Sequence, residues 1–293
     1  MKGNYFRWVP FLLFSYLGPS SICQVNISNL FQKPADSLDL KQEAPSFFSS
    51  NISFVSETVF LGRKDSVQAP YFYPSVTYHH KSGFYGGSSF SYSVPNQQID
   101  VILINAGFGF AVKKIDADLS FTKYFFNEES NNVISEIIAD VTASLNYNFN
   151  IARLSVTGSY YFNMEESDLV LSTEVSHDFI SNNKKLQISP AVGLYFGSQT
   201  FYEQYVITKG GTQGQGNGSP SIANGKIIEA EVFNLMAIDF SIPFWYEHKS
   251  FSFLVLPTYV LPKNNIKYAV DDIIYEEKVS ETLYWILGIN YKL

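Results

Sequence analysis

The sequence predicts an all-β protein, a transmembrane antiparallel β-barrel of about 12 strands with both its N- and C-termini in the periplasm. Three observations lead to this prediction. The chain has little charge and many aromatic residues, its long segments alternate between apolar and polar residues, and its connections alternate between short and long.

The composition indicates a surface that faces lipid. Of the 293 residues, 16% are charged and 17% are aromatic, whereas soluble domains carry about 25% charged residues. Beyond the N-terminal segment no run of about 18 consecutive apolar residues occurs, so a transmembrane helix is not supported. Composition alone leaves two classes open, a membrane barrel and a large soluble β protein.

The N-terminus has the pattern of a secretory signal peptide. Lys2 and Arg7 precede an apolar stretch at 9–17, and the small residues Ser21 and Cys23 stand before Gln24. We therefore expect residues 1–23 to be cleaved. The alternative is a lipoprotein with Cys23 as its first residue, which Ile22 argues against because Gly or Ala normally stands there. Residues 24–45 then form a periplasmic lead-in or a short plug, and residues 46–293 form the barrel.

Period-two alternation predicts the strands. In residues 139–150 every second residue is apolar and every other one is polar, without interruption. Soluble strands usually run about 5–6 residues and tilted transmembrane strands about 9–11, so segments of this length favour a membrane barrel. The predicted strands are 47–61, 69–79, 84–94, 99–113, 115–126, 138–149, 152–164, 168–180, 185–205, 227–247, 251–261 and 280–293.

The connections between these segments are consistent with an even strand count. With the N-terminus in the periplasm, the three longest links, 127–137, 206–226 and 262–279, are all extracellular. The tightest turns are all periplasmic, as is the rule for these barrels. Proline removes a ladder hydrogen bond, so we expect bulges or early strand ends at Pro74, Pro243 and Pro257.

The last twelve residues, 282–293, read TLYWILGINYKL, with every second residue apolar up to the last one. This resembles the final strand of outer-membrane barrels. Over residues 46–293 the pattern resembles the uncharacterised outer-membrane β-barrel proteins of Bacteroidetes-type bacteria. The resemblance implies the bacterial outer membrane as location, its lipid and lipopolysaccharide as surroundings, and the barrel-assembly machinery as a partner during biogenesis. It implies no ligand and leaves the oligomeric state open.

Most of the charged residues within the predicted strands fall on the polar face, which takes every second position. We expect these charged residues to face the lumen: Asp116, Asp118, Asp140, Arg153, Glu174, Glu229, Glu231 and Asp239. Rings of carboxylates bias a pore toward cations, so we expect a narrow channel or porin for small polar or cationic solutes. Bulky residues on the same parity could instead block the bore and make a plugged barrel with a structural or surface-interaction role: Tyr124, Tyr161, Tyr195, Phe233 and Trp245.

Aromatic residues at strand ends are candidates for the girdles at the membrane interfaces. The candidates on the outer side are Phe60, Phe125, Phe126, Phe162 and Tyr202.

An outer-membrane lipid hydrolase is a further alternative, because such enzymes need a histidine beside a nucleophile. The four histidines, His79, His80, His177 and His248, all fall at periplasmic strand ends, so we expect no catalysis and no cofactor. The acidic cluster Asp271, Asp272, Glu276 and Glu277 is a weak candidate for a metal site, and we expect a solvated surface there. A net charge of −7 disfavours nucleic acid as a partner.

Overall fold

The computed structural model describes residues 45–64, 70–163, 166–209, 226–270 and 273–293. The predicted signal peptide and nearly all of the lead-in lie outside the described residues. Among the described residues, no helix is long and apolar enough to cross a membrane.

Twelve antiparallel strands form the wall. They are β1 (Phe47–Val55), β2 (Tyr71–His79), β3 (Phe84–Ser93), β4 (Gln98–Val112), β5 (Ile115–Phe126), β6 (Ile137–Asn148), β7 (Arg153–Asn163), β8 (Ser167–Ser176 and Phe179–Ile180), β9 (Leu186–Ile188 and Ala191–Gly197), β10 (Asn234–Ser241 and Phe244–His248), β11 (Phe251–Pro262) and β12 (Thr282–Lys292). Each strand pairs with the next one along the chain.

The sheet closes between its first and last strands. Ile52 of β1 pairs with Pro74 of β2 on one side and with Ile289 of β12 on the other. Closure removes the two edges that an open sheet would expose, so backbone groups are satisfied between strands as a membrane requires. The predicted closed barrel of twelve strands is confirmed.

The two faces of the wall differ as the alternation predicts. In β6, Val141 and Leu145 are 38% and 52% exposed, while Asp140, Thr142 and Asn146, which are adjacent to them in the sequence, are buried. Large apolar side chains remain exposed in the same way on all twelve strands. An outward apolar face with an inward polar face is the pattern of a barrel that lies in lipid.

The two ends of the barrel are unlike. At the terminal rim, where β1 begins and β12 ends, the amide of Leu293 donates to the carbonyl of Phe48 at 2.9 Å. The tight turns between β2 and β3, β4 and β5, β6 and β7, and β10 and β11 also lie there. Lys113, Asn150 and Lys249 adopt positive φ in three of them, a conformation that hairpin turns require. The longest connections lie at the opposite end, the loop rim. The predicted division of short and long connections is confirmed, and which rim faces the cell exterior stays a prediction.

A line of interruptions, which we call the proline seam, crosses β8 to β11. It consists of residues 177–178, 189–190, 242–243 and 256–257. Across it, the amides of His177, Ser189 and Ile242 donate to the carbonyls of Pro190, Pro243 and Pro257, at 3.2, 3.1 and 3.2 Å.

The expected strand end at Pro243 is confirmed, because β10 stops at Ser241 and resumes at Phe244. The expectation is wrong at Pro74 and Pro257, where β2 and β11 run on. Pro74 keeps its pairing with Ile52 and Pro257 keeps its pairing with Trp285. The ladder on the other side of each proline stops for two residues without a register shift.

The loop rim carries additional structure that the predicted strands 47–61, 185–205 and 227–247 missed. Val59–Phe60 pairs with Arg63–Lys64 in a hairpin, and helix α1 spans Thr200–Lys209. A three-stranded sheet joins Lys226–Ile227, Ile266–Val270 and Ile273–Glu277. These elements lie between barrel strands and not within them.

Candidate functional site

The interior divides into an apolar half and a polar half. At the loop rim, the described connections contribute buried apolar residues to one cluster with the ends of the barrel strands. We call these connections the plug, and its buried apolar residues are Val59, Phe60, Leu61, Val133, Ile134, Phe201, Tyr202, Tyr205, Ile227, Ala230, Ile266 and Tyr268.

Aromatic rings join the plug to the wall. The ring of Phe60 lies edge to face with Tyr161 of β7 at 5.3 Å and with Phe201 of α1 at 4.8 Å. Tyr205 donates from its hydroxyl to the carbonyl of Asn131 at 2.9 Å, which ties α1 to the β5–β6 connection. The prediction that Phe60 and Tyr202 belong to a membrane girdle is wrong, because both are buried inside.

A buried cation holds the plug together. The guanidinium Nη2 of Arg63 donates to the side-chain oxygen of Gln199 at 2.6 Å and to the carbonyl of Asn264 at 2.8 Å. Its guanidinium also lies over the ring of Tyr202, 5.7 Å from the centroid. A charge-assisted hydrogen bond is about twice as strong as a neutral one, so Arg63 fixes three connections relative to one another.

Helix α1 is oriented by a residue of the wall. The carboxylate of Asp168 in β8 accepts from the amides of Thr200 and Phe201 at 3.0 and 2.7 Å. It also accepts from Asn163 of β7 at 2.8 Å. A carboxylate at a helix N-terminus satisfies amides that have no partner within the helix.

Glu203 ties the helix to the three-stranded sheet, since its Oε1 accepts from the amide of Ile227 at 3.0 Å. Partial burial raises the pKa of Glu203 above its ordinary value. The i, i+4 spacing of Phe201 and Tyr205 is the signal by which the helix could have been found.

Two inward acids lie at different levels of the wall. Asp118 lies toward the terminal rim, three residues from the start of β5, and Asp140 lies toward the loop rim, three residues from the start of β6. They are 5% and 0% exposed, and each has a tyrosine partner. The hydroxyl of Tyr85 donates to Asp118 at 3.0 Å, and that of Tyr124 donates to Asp140 at 2.7 Å. Thr142 also donates to Asp140, at 2.8 Å.

A polar row runs around the wall from β5 to β10. Its members are direct register partners on successive strands: Asp116, Asn146, Ser155, Glu174, Gly193 and Asp239. Asn146, Ser155, Glu174 and Asp239 are 1–2% exposed. The row therefore places two buried carboxylates, Glu174 and Asp239, on either side of a glycine.

Arg153 forms an ion pair on the terminal-rim side of this row. Arg153 donates to Asp178 at 2.7 Å, and Ser189 donates to the other oxygen of Asp178 at 2.6 Å. Gln187 extends this network by donating to Ser189 at 3.0 Å. The charge of Arg153 is thus balanced mainly by Asp178, and its electrostatic effect on the acids of the row is weaker.

Three predicted inward positions need correction. Glu229 and Glu231 lie in a turn of the plug before β10, which begins at Asn234. Phe233 also precedes that strand and is 44% exposed. The apolar residues of 227–233 led to the prediction of a strand there. Glu229 has a φ of 57°, which is incompatible with an extended strand. The other bulky candidates, Tyr124, Tyr161, Tyr195 and Trp245, are buried inside.

All four histidines lie at the terminal rim. His79 is buried, and its Nε2 lies 3.2 Å from the hydroxyl of Ser49. His177 contacts the carbonyl of Ile151 through Nδ1 at 2.6 Å. The Ser49–His79 contact is the geometry that a nucleophile and its base require.

The predicted acidic cluster of the loop rim is described only in part, since Asp271, Asp272 and the side chain of Glu277 lie outside the described residues. Glu276 accepts from the side-chain amide of Asn265 at 2.9 Å. Within the described ranges no group of three or more His, Cys, Asp or Glu side chains is placed to hold a metal ion.

A closed antiparallel barrel with an outward apolar band and an inward polar face defines a transmembrane β-barrel protein. The chain belongs to the family Gcw_chp, bacterial proteins of unknown function, which matches residues 40–233. No curated protein sequence matches the chain significantly.

Three solved structures with a related outline are distant in sequence. A KdgM porin is 9% identical with a TM-score of 0.46, over 85% of this chain and 99% of its own. A NanC porin is 7% identical with a TM-score of 0.46, over 84% and 100%. LpxR from Salmonella typhimurium is 8% identical with a TM-score of 0.40, over 83% and 99%.

Proposed function

We propose that this protein is an outer-membrane channel for small polar or cationic solutes. Its termini lie in the periplasm, its apolar band contacts lipid and lipopolysaccharide, and the barrel-assembly machinery inserts it. The observation that carries the proposal is the acidic lumen wall. Asp118, Asp140, Glu174 and Asp239 face inward, and Arg153, the basic residue that the described part of the chain places beside Glu174, is already paired with Asp178.

Carboxylates in this number require water or cations beside them. Burying an ionised carboxylate without a partner is expensive, and the tyrosine partners of Asp118 and Asp140 do not neutralise charge. A barrel of about eight strands is filled by its own side chains, whereas 16–18 strands leave an open channel. Twelve strands with small residues such as Ser144, Ser155 and Thr157 leave room for a wet lumen that favours cations.

The plug acts as the closure of this lumen in the proposal. Its apolar cluster excludes water from the loop-rim half, so conduction requires the plug to move as a unit. Hydrogen bonds of Arg63 and Asp168 are the contacts that hold it. A loop rearrangement of this kind is a common switching element.

Planar-bilayer recording of the full chain tests the channel. We expect conductance with a preference for cations that appears as discrete openings when the plug moves, reduced when Asp118→Asn and Asp140→Asn are combined. A control in which Glu128→Gln and Glu129→Gln remove two exposed charges from the loop rim should change selectivity less. A silent barrel in this assay would contradict the proposal.

The interlocked plug favours a second candidate, a closed barrel that presents its loop rim to surface partners. A silent wild-type barrel that also stays silent after Arg63→Met would support this candidate.

The contact between Ser49 and His79 makes a hydrolase the third candidate. The amine of Lys292 lies near enough to His79 to interact with it electrostatically, and a neighbouring cation opposes the imidazolium that a general base must become. We therefore expect purified protein to lack phospholipase and lipid A deacylase activity. An activity that Ser49→Ala abolishes would overturn this expectation.

A further inference from the structure

We propose that Glu174 and Asp239, with Tyr195 on the strand between them, form a binding site for an organic cation with N–H donors, an ammonium or guanidinium group. The inference rests on the proposed function, because the cation would reach the site through the lumen.

The register of three strands brings the two acids together. Glu174 of β8 pairs with Gly193 of β9, and Gly193 pairs with Asp239 of β10. Neighbouring strands lie about 4.8 Å apart, so the two Cα atoms are separated by roughly 10 Å. Both side chains lie on the buried face of the wall, and Asp239 is near enough to Glu174 to interact with it electrostatically.

Gly193 makes room for a phenol on the strand between the two acids. A Cβ at this position would lie 2.6 Å from the hydroxyl oxygen of Tyr195 and equally close to its ring. The side chain of Tyr195 therefore lies flat over Gly193. Its hydroxyl, which both donates and accepts hydrogen bonds, lies over Gly193, the residue whose register partners are Glu174 and Asp239.

The two acids differ from the other lumen acids in their partners. Tyrosine hydroxyls donate to Asp118 and Asp140. By contrast, neither oxygen of Glu174 or Asp239 accepts a hydrogen bond from the residues that the structure describes.

The hydroxyl of Ser155, the register partner of Glu174, is also without a hydrogen-bond partner among the described residues, as is that of Ser241, two residues beyond Asp239. Both serines are 2% exposed. Buried polar atoms almost always have a partner, so unpartnered side chains on three neighbouring strands, β7, β8 and β10 with β9 between the last two, mark this part of the wall as a place for a ligand with donors.

Charge and donor number select the class of ligand. Arg153 and Asp178 form an ion pair, so within the described ranges Arg153 does not supply a full countercharge to Glu174 and Asp239. Ammonium and guanidinium groups carry three and five N–H donors and form charge-assisted hydrogen bonds with carboxylates. A divalent metal ion fits less well, since the described residues place no third acidic or histidine side chain beside the pair.

Titration calorimetry on the full chain, refolded in detergent, tests the site with 1,4-diaminobutane and with guanidinium chloride as probes. We expect saturable binding of at least one of them, weakened about tenfold or more when Glu174→Gln and Asp239→Asn are combined. The matched control combines Glu128→Gln and Glu129→Gln, which removes the same charge from the exposed loop rim and should change affinity less than about threefold. Circular dichroism verifies that both variants fold.

Three results would overturn the site. They are equal loss in the two double variants, equal affinity for tetramethylammonium, which has no N–H donor, and tighter binding of magnesium chloride alone. Bilayer recording of the same preparations separates this inference from the channel. Conductance without binding of either probe rejects the site and keeps the channel, whereas binding in a silent barrel rejects the channel and keeps the site.

Discussion

The guanidinium Nη2 of Arg63 lies 2.6 Å from the side-chain oxygen of Gln199, although 136 positions separate the two residues in the sequence. The contact joins the β1–β2 connection to the start of α1. With the bond from Arg63 to Asn264, it makes one residue the common support of three loops.

Replacing Arg63 with Met should therefore loosen the plug. We expect the free energy of unfolding to fall by about 1–3 kcal/mol, because Gln199 and Asn264 lose a buried charged donor. Urea unfolding in detergent measures the change. Lys64→Met is the control, since Lys64 is partly exposed and lies 3.7 Å from Glu57, a surface pair worth at most about 1 kcal/mol. An equal effect of both substitutions would contradict the role of Arg63.

Asp168→Ala should destabilise α1 and the plug with it. The amides of Thr200 and Phe201 lose their acceptor, and we expect a cost of about 1–3 kcal/mol. Asp168→Asn, which retains one acceptor oxygen, should cost less. The exposed neighbour Glu166, changed to Ala, should stay within about 0.5 kcal/mol of the wild type. Thermal unfolding followed by circular dichroism ranks the three variants, and a neutral Asp168→Ala would show that the cap is dispensable.

Tyr124→Phe should leave Asp140 with one donor fewer and lower the free energy of unfolding by about 1–3 kcal/mol. A double-mutant cycle with Asp140→Asn should give a coupling of about 0.5–3 kcal/mol. Tyr160→Phe on the lipid-facing side is the matched control, because Tyr160 is 45% exposed. Additive effects of Tyr124→Phe and Asp140→Asn would mean that their 2.7 Å contact contributes nothing.

Two glycines on neighbouring parts of the wall should respond differently to alanine. Gly193→Ala forces a Cβ to within 2.6 Å of Tyr195, and overpacking of this kind costs about 1–3 kcal/mol. Gly158→Ala meets nothing within 4 Å and should be neutral or stabilising by up to about 1 kcal/mol. Equilibrium unfolding of the two variants decides the matter, and similar values would show that Tyr195 moves aside without cost.

The orientation of the barrel is tested by labelling intact cells with a membrane-impermeant maleimide. Glu129→Cys at the loop rim should react, and Asn182→Cys at the terminal rim should react only after the outer membrane is opened. Both positions are exposed, so reactivity reports sidedness. The reverse pattern would place the terminal rim outside.

Alternation predicted the wall well because lipid and lumen demand opposite residues at successive positions. The predicted bounds of β5, 115–126, are those observed. Prediction failed at the loop rim, where Phe60 and Tyr202 contact other aromatic residues and not lipid. An aromatic residue buried under a plug and one in a membrane girdle have the same chemistry, so one sequence does not separate them.

The inward acids show that the sequence predicts which face of a strand a residue lies on but not which residue it contacts. Parity within a strand was enough to place Asp118, Asp140, Glu174 and Asp239 on the buried face. Their partners depend on register between strands, which no single strand encodes. Tyr85 reaches Asp118 across β4, and the contrast between this satisfied acid and Glu174 emerges only once the strands are aligned.

The proline seam makes the wall unequal in stiffness around its circumference. Among β1 to β7 the ladders stop beside Pro74 and shift register at two separate places, after Ser91 and after Ile137, whereas β8, β9 and β10 are each interrupted at the same level. Pro190 and Pro243 have no amide hydrogen to restore the missing bonds. When thermal motion deforms the cross-section, this sector yields first, and amide exchange should be fastest there. Glu174 and Asp239 lie on the loop-rim side of that soft sector, so the bore changes width most easily beside them.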